Sequence, residues 1–476
     1  MLELALFAQV LFWLLVVGAF FLSRQASIYH PLAFYLGFHA LVFVIRPLVV
    51  HYLEFDHEFV YMQLQPTEQI FIRSLMVSSL GLFAFATAAL GIGLCEPIFK
   101  PHLPAPFTVE QRRGLLVLTL VLAPLLGYSM YASHTDFAAE DRGGTFIMTG
   151  AGGYTIEAQL MAGPLVCACL AVTRFRWYAL ALLVPYVTYR AYSGMSRWTF
   201  VLLFIALGLM YAWQKRLKWP PWWFFIGMLP IFCMFKALGD NRTLVKRFIH
   251  GESYRTEEII GQGATALERF RTKYDGPDFA NFDFLTFVIA AVPEKTQTYT
   301  YGSQYLQLFT EPIPRKLWPG KPAGAPIGFF NLNHYGNFIG RTVSLVGDGW
   351  MSGGWLGVAI TMTIVGGLLG LAHRWFWRHS EDNMVALFYL VGLAMLPQWF
   401  RDGGISIAKF LFWNLAPLVL WRMLAWVFTG LVIPGGSVVL PAGVGLRLVR
   451  TGRNLGTRVL GRSVANTASQ ASKSTS

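Results

Sequence analysis

The chain has few charged residues, since Asp, Glu, Lys and Arg make up 13% of its 476 residues. Soluble globular chains carry about 25% charged residues, and a soluble fold of this length needs a charged surface over its cores. Hydrophobic residues make up 55% of the chain, and the mean hydropathy is +0.49. These values exclude a soluble enzyme, a disordered chain and a collagen-like fibre, and they predict a polytopic integral membrane protein.

Cysteine is also scarce: the four cysteines are Cys95, Cys167, Cys169 and Cys233, and all lie in or beside apolar runs. Cys167 and Cys169 are two positions apart, so on a helix they face away from each other and do not form a metal-binding pair. The sequence therefore predicts no disulfide framework.

The sequence lacks the motifs of metal and nucleotide chemistry, with no Asp-x-Asp pair and no Gly-rich nucleotide loop. This absence disfavours a nucleotide-sugar donor bound through a metal, and we predict no metal or other cofactor. No RNA-binding signature or zinc-finger spacing accompanies the net charge of +13. We attribute that charge to membrane topology and to contact with anionic membrane lipids rather than to nucleic acid.

Apolar runs long enough to cross a bilayer, which takes about 20 residues, recur along the chain. We predict an all-α protein with about eleven transmembrane helices. The predicted spans lie near residues 2–22, 32–52, 71–95, 114–131, 154–173, 177–192, 198–213, 221–238, 349–372, 384–400 and 405–431.

Basic residues are distributed unequally between the two alternating sets of segments outside these spans. One set, which includes the C-terminal tail, holds seventeen basic residues, and the short segments of the other set hold only Arg142, Arg197 and Arg401. Short cytoplasmic loops are enriched in Lys and Arg. We therefore predict that the N-terminus lies outside and the C-terminus lies in the cytoplasm.

One segment between the spans, residues 239–345, is too long and too mixed in charge for a simple connector. It falls on the outer side, and we predict a small folded lid, helical in its first half and irregular in its second. It separates the first eight spans, within residues 1–238, from the last three, within residues 346–433. Residues 434–476 are predicted to form a basic cytoplasmic tail with a disordered end.

Basic residues recur at the outer ends of the predicted spans, where the charge rule makes them scarce. Several cations on one face suit a phosphate or diphosphate group. The predicted anion-binding residues are Arg190, Arg197, Arg315, Lys321, Arg401 and Lys409. The alternative for each is snorkelling to lipid headgroups or an internal salt bridge, such as one between Arg401 and Asp402.

Candidate general bases also lie on the outer side. Asp348 stands at the mouth of the ninth predicted span, and His334 is an alternative that titrates near neutral pH. The other outer carboxylates are Asp240, Asp283, Glu294 and Asp402. A helix cap, a turn or a loop salt bridge is the alternative for each of them.

Arg46 and Arg73 are charged residues within apolar spans. We expect them to pair with polar groups of the bundle. Pro47 follows Arg46 and predicts a local distortion of that helix.

The chain resembles a known family in a series of short motifs. The most specific is Pro314-Arg315-x-Leu317-Trp318-Pro319-x-Lys321-Pro322. It is preceded by Tyr301-Gly302-x-x-Tyr305 and followed by Ser344…Gly347-Asp348 and by Gly353-Gly354-Trp355-Leu356-Gly357. The runs Ser193-Gly194-x-Ser196-Arg197 and Arg401-Asp402-Gly403 also match. Together these motifs resemble the bacterial oligosaccharide repeat-unit polymerases, the Wzy-type O-antigen and capsule polymerases.

The resemblance implies a GT-C-like fold with one large periplasmic loop, in the bacterial inner membrane. It implies a metal-independent glycosyltransferase that moves a growing glycan from undecaprenyl diphosphate to the terminal sugar of a new lipid-linked repeat. Asp348 or His334 would activate the acceptor hydroxyl, the cations would hold the diphosphate, and Tyr301, Tyr305 and Trp318 would stack on sugars. Undecaprenyl-diphosphate-linked glycans, membrane lipids and a chain-length regulator are the partners to test.

Two other functions stay open at this point. O-antigen ligases, which transfer the finished glycan to lipid A core, also have a large outer loop and use a histidine as base, as His334 would allow. A flippase or transporter of lipid-linked sugars would not be an enzyme. Transporters tend to show internal repeats, and the two halves of this chain show no such similarity.

Overall fold

The structure is a computed structural model, and it describes most of the residues before the C-terminal tail. The described residues are 1–53, 64, 66–92, 105–135, 139–142, 145–148, 153–193, 197–224, 226–227, 265, 268, 280–310, 313, 317–318, 330, 332, 335 and 342–431. The chain divides into two compact units, Met1–Ala425 and Trp426–Ser476. The core and the sites below belong to the first unit.

Helices make up almost all of the described structure. The α-helices are α1 (Leu2–Leu22), α2 (Pro31–His39), α3 (Arg46–Tyr52), α4 (Glu68–Gly91), α5 (Val109–Thr135), α6 (Gly153–Glu157), α7 (Ala162–Val172), α8 (Leu183–Ser193), α9 (Arg197–Gln214), α10 (Asn281–Ala291), α11 (Gln307–Thr310), α12 (Ser344–Arg378), α13 (Asn383–Ala394), α14 (Leu396–Asp402) and α15 (Gly404–Leu431).

Shorter elements join some of these helices. A π-helical segment, Ala40–Ile45, joins α2 to α3, just before the Arg46-Pro47 pair at which the sequence predicts a distortion. The 3-10 segments in the described part of the chain are Ala158–Met161, Trp177–Leu182 and Ser303–Leu306. An antiparallel hairpin pairs β1 (Ala139–Arg142) with β2 (Thr145–Met148).

Eight helical segments in the described part of the chain are long and apolar enough to cross a membrane. They are Leu2–Leu22, Pro31–Tyr52, Glu68–Gly91, Val109–Ser133, Tyr154–Val172, Ser344–Arg378, Asn383–Asp402 and Ile407–Gly430. Each coincides with one of the predicted spans, which confirms a polytopic membrane protein.

The other three predicted spans do not correspond to full-length membrane helices among the described residues. Residues 177–192 form a 3-10 segment followed by α8, and the apolar part of α9, Thr199–Gln214, is shorter than a full span. Residues 221–238 lie mostly outside the described residues. The number eleven therefore stays a prediction.

Side-chain caps define several helix starts. Thr67 accepts a hydrogen bond from Ile70 N at the start of α4, and Asp382 accepts one from Met384 N at the start of α13. His30 does the same for α2, where its Nδ1 atom accepts from Leu32 N and Pro31 opens the helix. Each cap satisfies a backbone N–H that has no partner within its helix.

The centre of the core is the contact between α4 and α12. A Cβ atom at Gly366 would lie 2.6 Å from the backbone oxygen of Phe85, and one at Gly370 would lie 2.9 Å from that of Ala89. Gly366 and Gly370 are four residues apart, which places both on one face of α12. Small residues at this spacing let two membrane helices bring their backbones together.

Helix α12 is broken near its start, where Gly353 and Gly354 leave the helical conformation. The arm 344–352 folds back along the arm 355–378, because a Cβ at Gly349 would lie 2.8 Å from the Cα of Val358. Gly81 of α4 lies close to both arms, through Val346 and Met362. The ninth predicted span, residues 349–372, is therefore not one continuous helix.

Helix α10 lies within the segment predicted as an outer loop, yet all of its residues are buried. It packs against α4 and the first arm of α12, and Val292 O, just after its end, accepts a hydrogen bond from Trp350 Nε1 at 2.8 Å. This part of residues 239–345 is core rather than an exposed lid. The apolar run Phe282–Ala291 is shorter than a membrane span, which is why the hydropathy search missed it.

Candidate functional site

Asp348 lies on the short arm of α12 and is only 2% exposed. Its Oδ2 atom accepts a 2.6 Å hydrogen bond from Gly404 N. Gly404 is the first residue of α15, so the carboxylate caps that helix, where the helix dipole favours negative charge. This contact joins the broken helix to the start of the last helix.

Gly403 precedes this cap and has a φ of +87°. A Cβ atom at Gly403 would collide with the Asp348 carboxylate, and one at Gly404 would lie 2.9 Å from Cε1 of Tyr305. The Gly403-Gly404 pair therefore lies against both the Asp348 carboxylate and the Tyr305 ring. Both glycines allow the chain to pass close to the acid.

Arg401 and Asp402 end α14 just before these glycines. Arg401 Nη1 lies 3.1 Å from Asp402 Oδ1, and Gln398 Nε2 donates to Asp402 Oδ2 at 3.1 Å. Asn281 Nδ2 of α10 donates to Arg401 O at 3.3 Å. The side chains of Arg401 and Asp402 are 14% and 10% exposed. The salt bridge that the sequence analysis named as the alternative for Arg401 is thus present.

The chain around Tyr305 packs onto the short arm of α12. Gln304 Nε2 donates to Ser352 Oγ at 2.6 Å, and Thr300 N donates to Met351 O at 2.9 Å. Burial raises the pKa of Tyr305, and the negative charge of Asp348 raises it further. The half-buried Tyr305 ring lies against Gly404, next to the Asp348 carboxylate.

The other two predicted glycan-binding aromatics are more exposed than Tyr305. Tyr301 is 77% exposed and Trp318 is 38% exposed. The Tyr301 ring meets Tyr299 at a centroid distance of 6.2 Å. Exposed rings are available to stack on sugars, so this role stays a prediction for Tyr301 and Trp318.

A second polar cluster surrounds Arg190 of α8, which is 4% exposed. Its Nη1 atom donates to Gln159 Oε1 at 3.1 Å, and its guanidinium lies 5.6 Å from the ring centroid of Tyr186 and 5.9 Å from that of Tyr189. The Tyr189 hydroxyl also donates to Gln159 Oε1, at 3.1 Å. The Arg190 guanidinium is thus held by an amide oxygen and lies near two aromatic rings, an arrangement that favours a cation.

Lys409 extends this cluster from α15. Its Nζ atom lies 2.5 Å from Glu157 Oε1, with the two side chains 39% and 15% exposed. Lys409 follows Gly404 by five positions, or about 7.5 Å of helix. The first turns of α15 therefore connect the Asp348 contact to the Glu157–Gln159 segment.

Five of the predicted site residues lie in or beside these two clusters, namely Asp348, Tyr305 and Arg401 in the first and Arg190 and Lys409 in the second. Arg190 joins Lys409 through the Glu157–Gln159 segment. Arg315, Lys321 and His334 lie outside the described residues, as does Asp240. Arg197 begins α9, and only its backbone is described.

Besides Asp402, which pairs with Arg401, two more of the alternative base candidates are in ion pairs. Asp283 Oδ2 lies 2.7 Å from Arg46 Nη2, and neither side chain is exposed. This pair confirms the structural role expected of Arg46. Glu294 lies 3.6 Å from Arg73 at the surface, with the two side chains 57% and 41% exposed.

Comparison with protein-family models, curated proteins and solved structures finds no match. Among the described residues, no three His, Cys, Asp or Glu side chains come together as metal ligands.

Sequence reasoning missed several polar residues that hold these clusters. They are Glu157, Gln159, Asn281 and Gln304. Glu157 and Gln159 stand within an apolar run, and polar residues at membrane depth point to function or pairing. That signal was available from the sequence. The contacts of Asn281 and Gln304 depend on how a long interspan segment folds back, which no local pattern indicates.

Proposed function

We propose that this protein polymerises lipid-linked oligosaccharide repeat units in the inner membrane. In this reaction the anomeric carbon of the growing glycan leaves its undecaprenyl diphosphate and bonds to a hydroxyl oxygen of the terminal sugar on a new lipid-linked repeat. The hydroxyl proton goes to a base, and the lipid diphosphate departs with the bonding electrons. The GT-C-like fold, the periplasmic position of residues 239–345 and the cytoplasmic C-terminus are parts of the same proposal.

One observation carries the proposal. Several of the motifs that resemble the polymerase family lie close together in space, although they are far apart in the chain. Tyr305, Asp348 and the Gly403-Gly404 pair come from three separate segments, and the two glycines lie against both Asp348 and Tyr305. Similarity of short motifs to those of a family does not by itself require that these motifs lie close together in the folded chain. Their convergence around a buried acid is what a common active site requires.

The residues have distinct roles in the proposed reaction. Asp348 accepts the proton of the acceptor hydroxyl, because a base must lie within hydrogen-bond reach of that proton. Since Asp348 is 2% exposed, we propose that the neighbouring segment that carries Tyr305 moves when the acceptor enters, as loops do in many enzymes.

The cations of the site would act on the leaving group. Negative charge grows on the diphosphate as the glycosidic bond breaks, and a fixed donor at such a position lowers a barrier by about 3–4 kcal/mol. Arg401 and Arg190 are held by Asp402 and Gln159 respectively. We propose that both exchange these partners in part for diphosphate oxygens, which arginine binds in a bidentate manner.

The direct test uses the purified full-length protein in lipid nanodiscs with synthetic undecaprenyl-diphosphate-linked repeat units. A polymerase converts them into products that differ by whole repeats, with release of undecaprenyl diphosphate and without added metal or nucleotide. An unchanged substrate pool under conditions in which the protein is folded would contradict the proposal.

Genetic deletion separates the three functions that the sequence leaves open. In a deletion strain, a lipopolysaccharide of core plus a single repeat supports the polymerase. Bare core with polymer still on the lipid carrier supports the ligase instead. Loss of all outward exposure of the lipid-linked glycan supports the flippase.

Asp348→Asn tests the role of the acid, because the amide oxygen can still accept the Gly404 hydrogen bond. We expect normal protein levels and polymer formation reduced by about 100-fold or more, within the range assigned to general base catalysis. Glu294→Gln, in the exposed pair with Arg73, is the control and keeps full activity. An active Asp348→Asn variant would leave Asp348 with the helix-capping role only.

A further inference from the structure

The opposite end of the bundle holds a cavity of about 160 Å³. Its walls come from the starts of α5 and α13 and from the ends of α7 and α9. The Asp348 site lies instead where α14 ends and α15 begins. The cavity is therefore separate from the residues of the proposed reaction.

The lining of this cavity combines cations with apolar and aromatic groups. Arg112 and Arg174 contribute exposed guanidinium side chains, Gln214 and Asn383 contribute amides, and Phe107 and Trp213 contribute rings. Among the described residues that line it there is no carboxylate. Two positive charges beside an apolar wall suit an anion that carries an apolar body.

The backbone at Arg174 is unusual for an arginine. Helix α7 ends in a Schellman motif, in which Phe175 N bonds to Leu170 O at 2.9 Å and Arg174 N bonds to Ala171 O at 3.1 Å. Arg174 takes the left-handed position of that motif with a φ of +53°. Glycine is the usual residue there, because side chains of L-residues are strained in this conformation.

Helix α9 ends in the same way. Leu217 N bonds to Ala212 O at 2.9 Å, Arg216 N bonds to Trp213 O at 3.0 Å, and Arg216 has a φ of +57°. Two neighbouring helices thus place arginine where glycine would fit with less strain. Their positive charge favours the carboxyl end of a helix, but only Arg174 also lines the cavity.

We propose that this cavity binds the phosphate of an anionic membrane lipid through Arg112 and Arg174. The amides of Gln214 and Asn383 each donate one hydrogen bond to a backbone carbonyl, of Ala171 and Ala105 respectively, and each has a second N–H for the ligand. The aromatic wall contacts the apolar part of the lipid next to its headgroup. A cavity of this volume is close to the size that admits one benzene-sized group, so it fits a small headgroup rather than an oligosaccharide.

The test compares two glycine substitutions in the full-length protein in a neutral detergent. R174G and R216G each relieve a left-handed residue in the same backbone motif, so both keep or raise the melting temperature. Binding of dihexanoyl phosphatidylglycerol is measured by native mass spectrometry or calorimetry. We expect R174G to weaken this binding by about tenfold or more, and R216G to change it by less than about twofold.

Three results would overturn the proposal: R174G binds the lipid as the wild type does, R216G weakens binding as much as R174G, or dihexanoyl phosphatidylcholine binds equally well. A separate arm with inorganic phosphate distinguishes the source of the phosphate. Competition by inorganic phosphate at concentrations equal to the lipid would overturn the assignment to a lipid. Failure to compete supports it.

Discussion

At the scale of single residues, Gly403 is the most constrained position of the candidate site. Its φ of +87° and the Asp348 carboxylate beside its Cα both exclude a side chain. We expect Gly403→Ala to displace Asp348, to lower stability by about 1–3 kcal/mol, and to abolish polymer formation.

Melting temperature and polymer length in the same preparation measure this effect. Gly392→Ala is the matched control, because Gly392 lies within helix α13 and nothing lies within 4 Å of a Cβ placed there. Alanine is favoured over glycine inside a helix by about 1 kcal/mol, so that variant keeps its activity. A fully active Gly403→Ala protein would show that the Asp348 contact is dispensable.

The buried ion pair between Arg46 and Asp283 is a second single-residue feature. Both side chains have no exposure, and Arg46 Nε also donates to Asp283 Oδ2, at 3.1 Å. Removing one partner takes the opposite charge away from the other inside the core. We expect Asp283→Asn or Arg46→Met to destabilise the protein by about 3–5 kcal/mol, seen as a large loss of melting temperature.

The double variant Arg46→Met with Asp283→Leu removes both charges together, and we expect it to recover most of the lost stability. The exposed Arg73–Glu294 pair is the comparison, since neutralising it changes stability by less than about 1 kcal/mol. A single Asp283→Asn variant as stable as the wild type would contradict the structural role assigned to this pair.

At the scale of elements, the α4–α12 contact depends on two glycines of α12. We expect Gly366→Ala and Gly370→Ala to force the helices apart and to cost about 1–3 kcal/mol each. Gly367 is the matched control, because a Cβ there would meet only Ile92 Cδ1 at 3.5 Å. Thermal unfolding of the three variants in one detergent makes the comparison, and equal melting temperatures would exclude this close contact.

Because helix α12 is broken, its two arms have different roles. Its arm 355–378 is long enough to span a membrane and packs on α4. Its arm 344–352 carries Asp348 back into the bundle and lies against α10. Such interrupted helices at membrane depth occur where the irregular backbone is buried in protein or lines a cavity.

At the scale of the whole molecule, the orientation predicted from the basic residues can be tested with single cysteines. In a variant without the four native cysteines, Tyr301→Cys lies on the predicted outer side and Trp177→Cys on the predicted cytoplasmic side. Both positions are well exposed, at 77% and 84%. We expect a membrane-impermeant maleimide to label only Tyr301→Cys in spheroplasts.

Lysis of the spheroplasts is the control, because Trp177→Cys becomes reactive once the reagent reaches both faces. Labelling of Trp177→Cys before lysis, with Tyr301→Cys protected, would reverse the orientation. It would then place the Arg112 and Arg174 cavity on the outer side and remove the topological basis of the proposed function.

The amino-acid sequence by itself determined the class of protein and the position of most spans. Hydropathy is a local property, so an apolar run such as Leu2–Leu22 or Glu68–Gly91 is recognised from its own residues as long and apolar enough to cross a membrane. The motifs also singled out Asp348, Tyr305 and Arg401 as site residues. Their contacts could not be derived from the sequence, because each depends on segments that lie far apart in the chain.

Only the tertiary structure decided which apolar segments are continuous and which polar groups are paired. Residues 349–372 look like one span in hydropathy, but Gly353 and Gly354 break the helix and Gly349 packs on Val358. Helix α10 is too short to signal a span, and its burial comes from packing against α4 and α12. Arg46 needed a partner, and the fold supplied Asp283 from the distant α10. Periodicity and hydropathy are properties of neighbouring residues along the chain. The helix break, the burial of α10 and the Arg46–Asp283 pair depend instead on contacts between segments that are far apart in the chain.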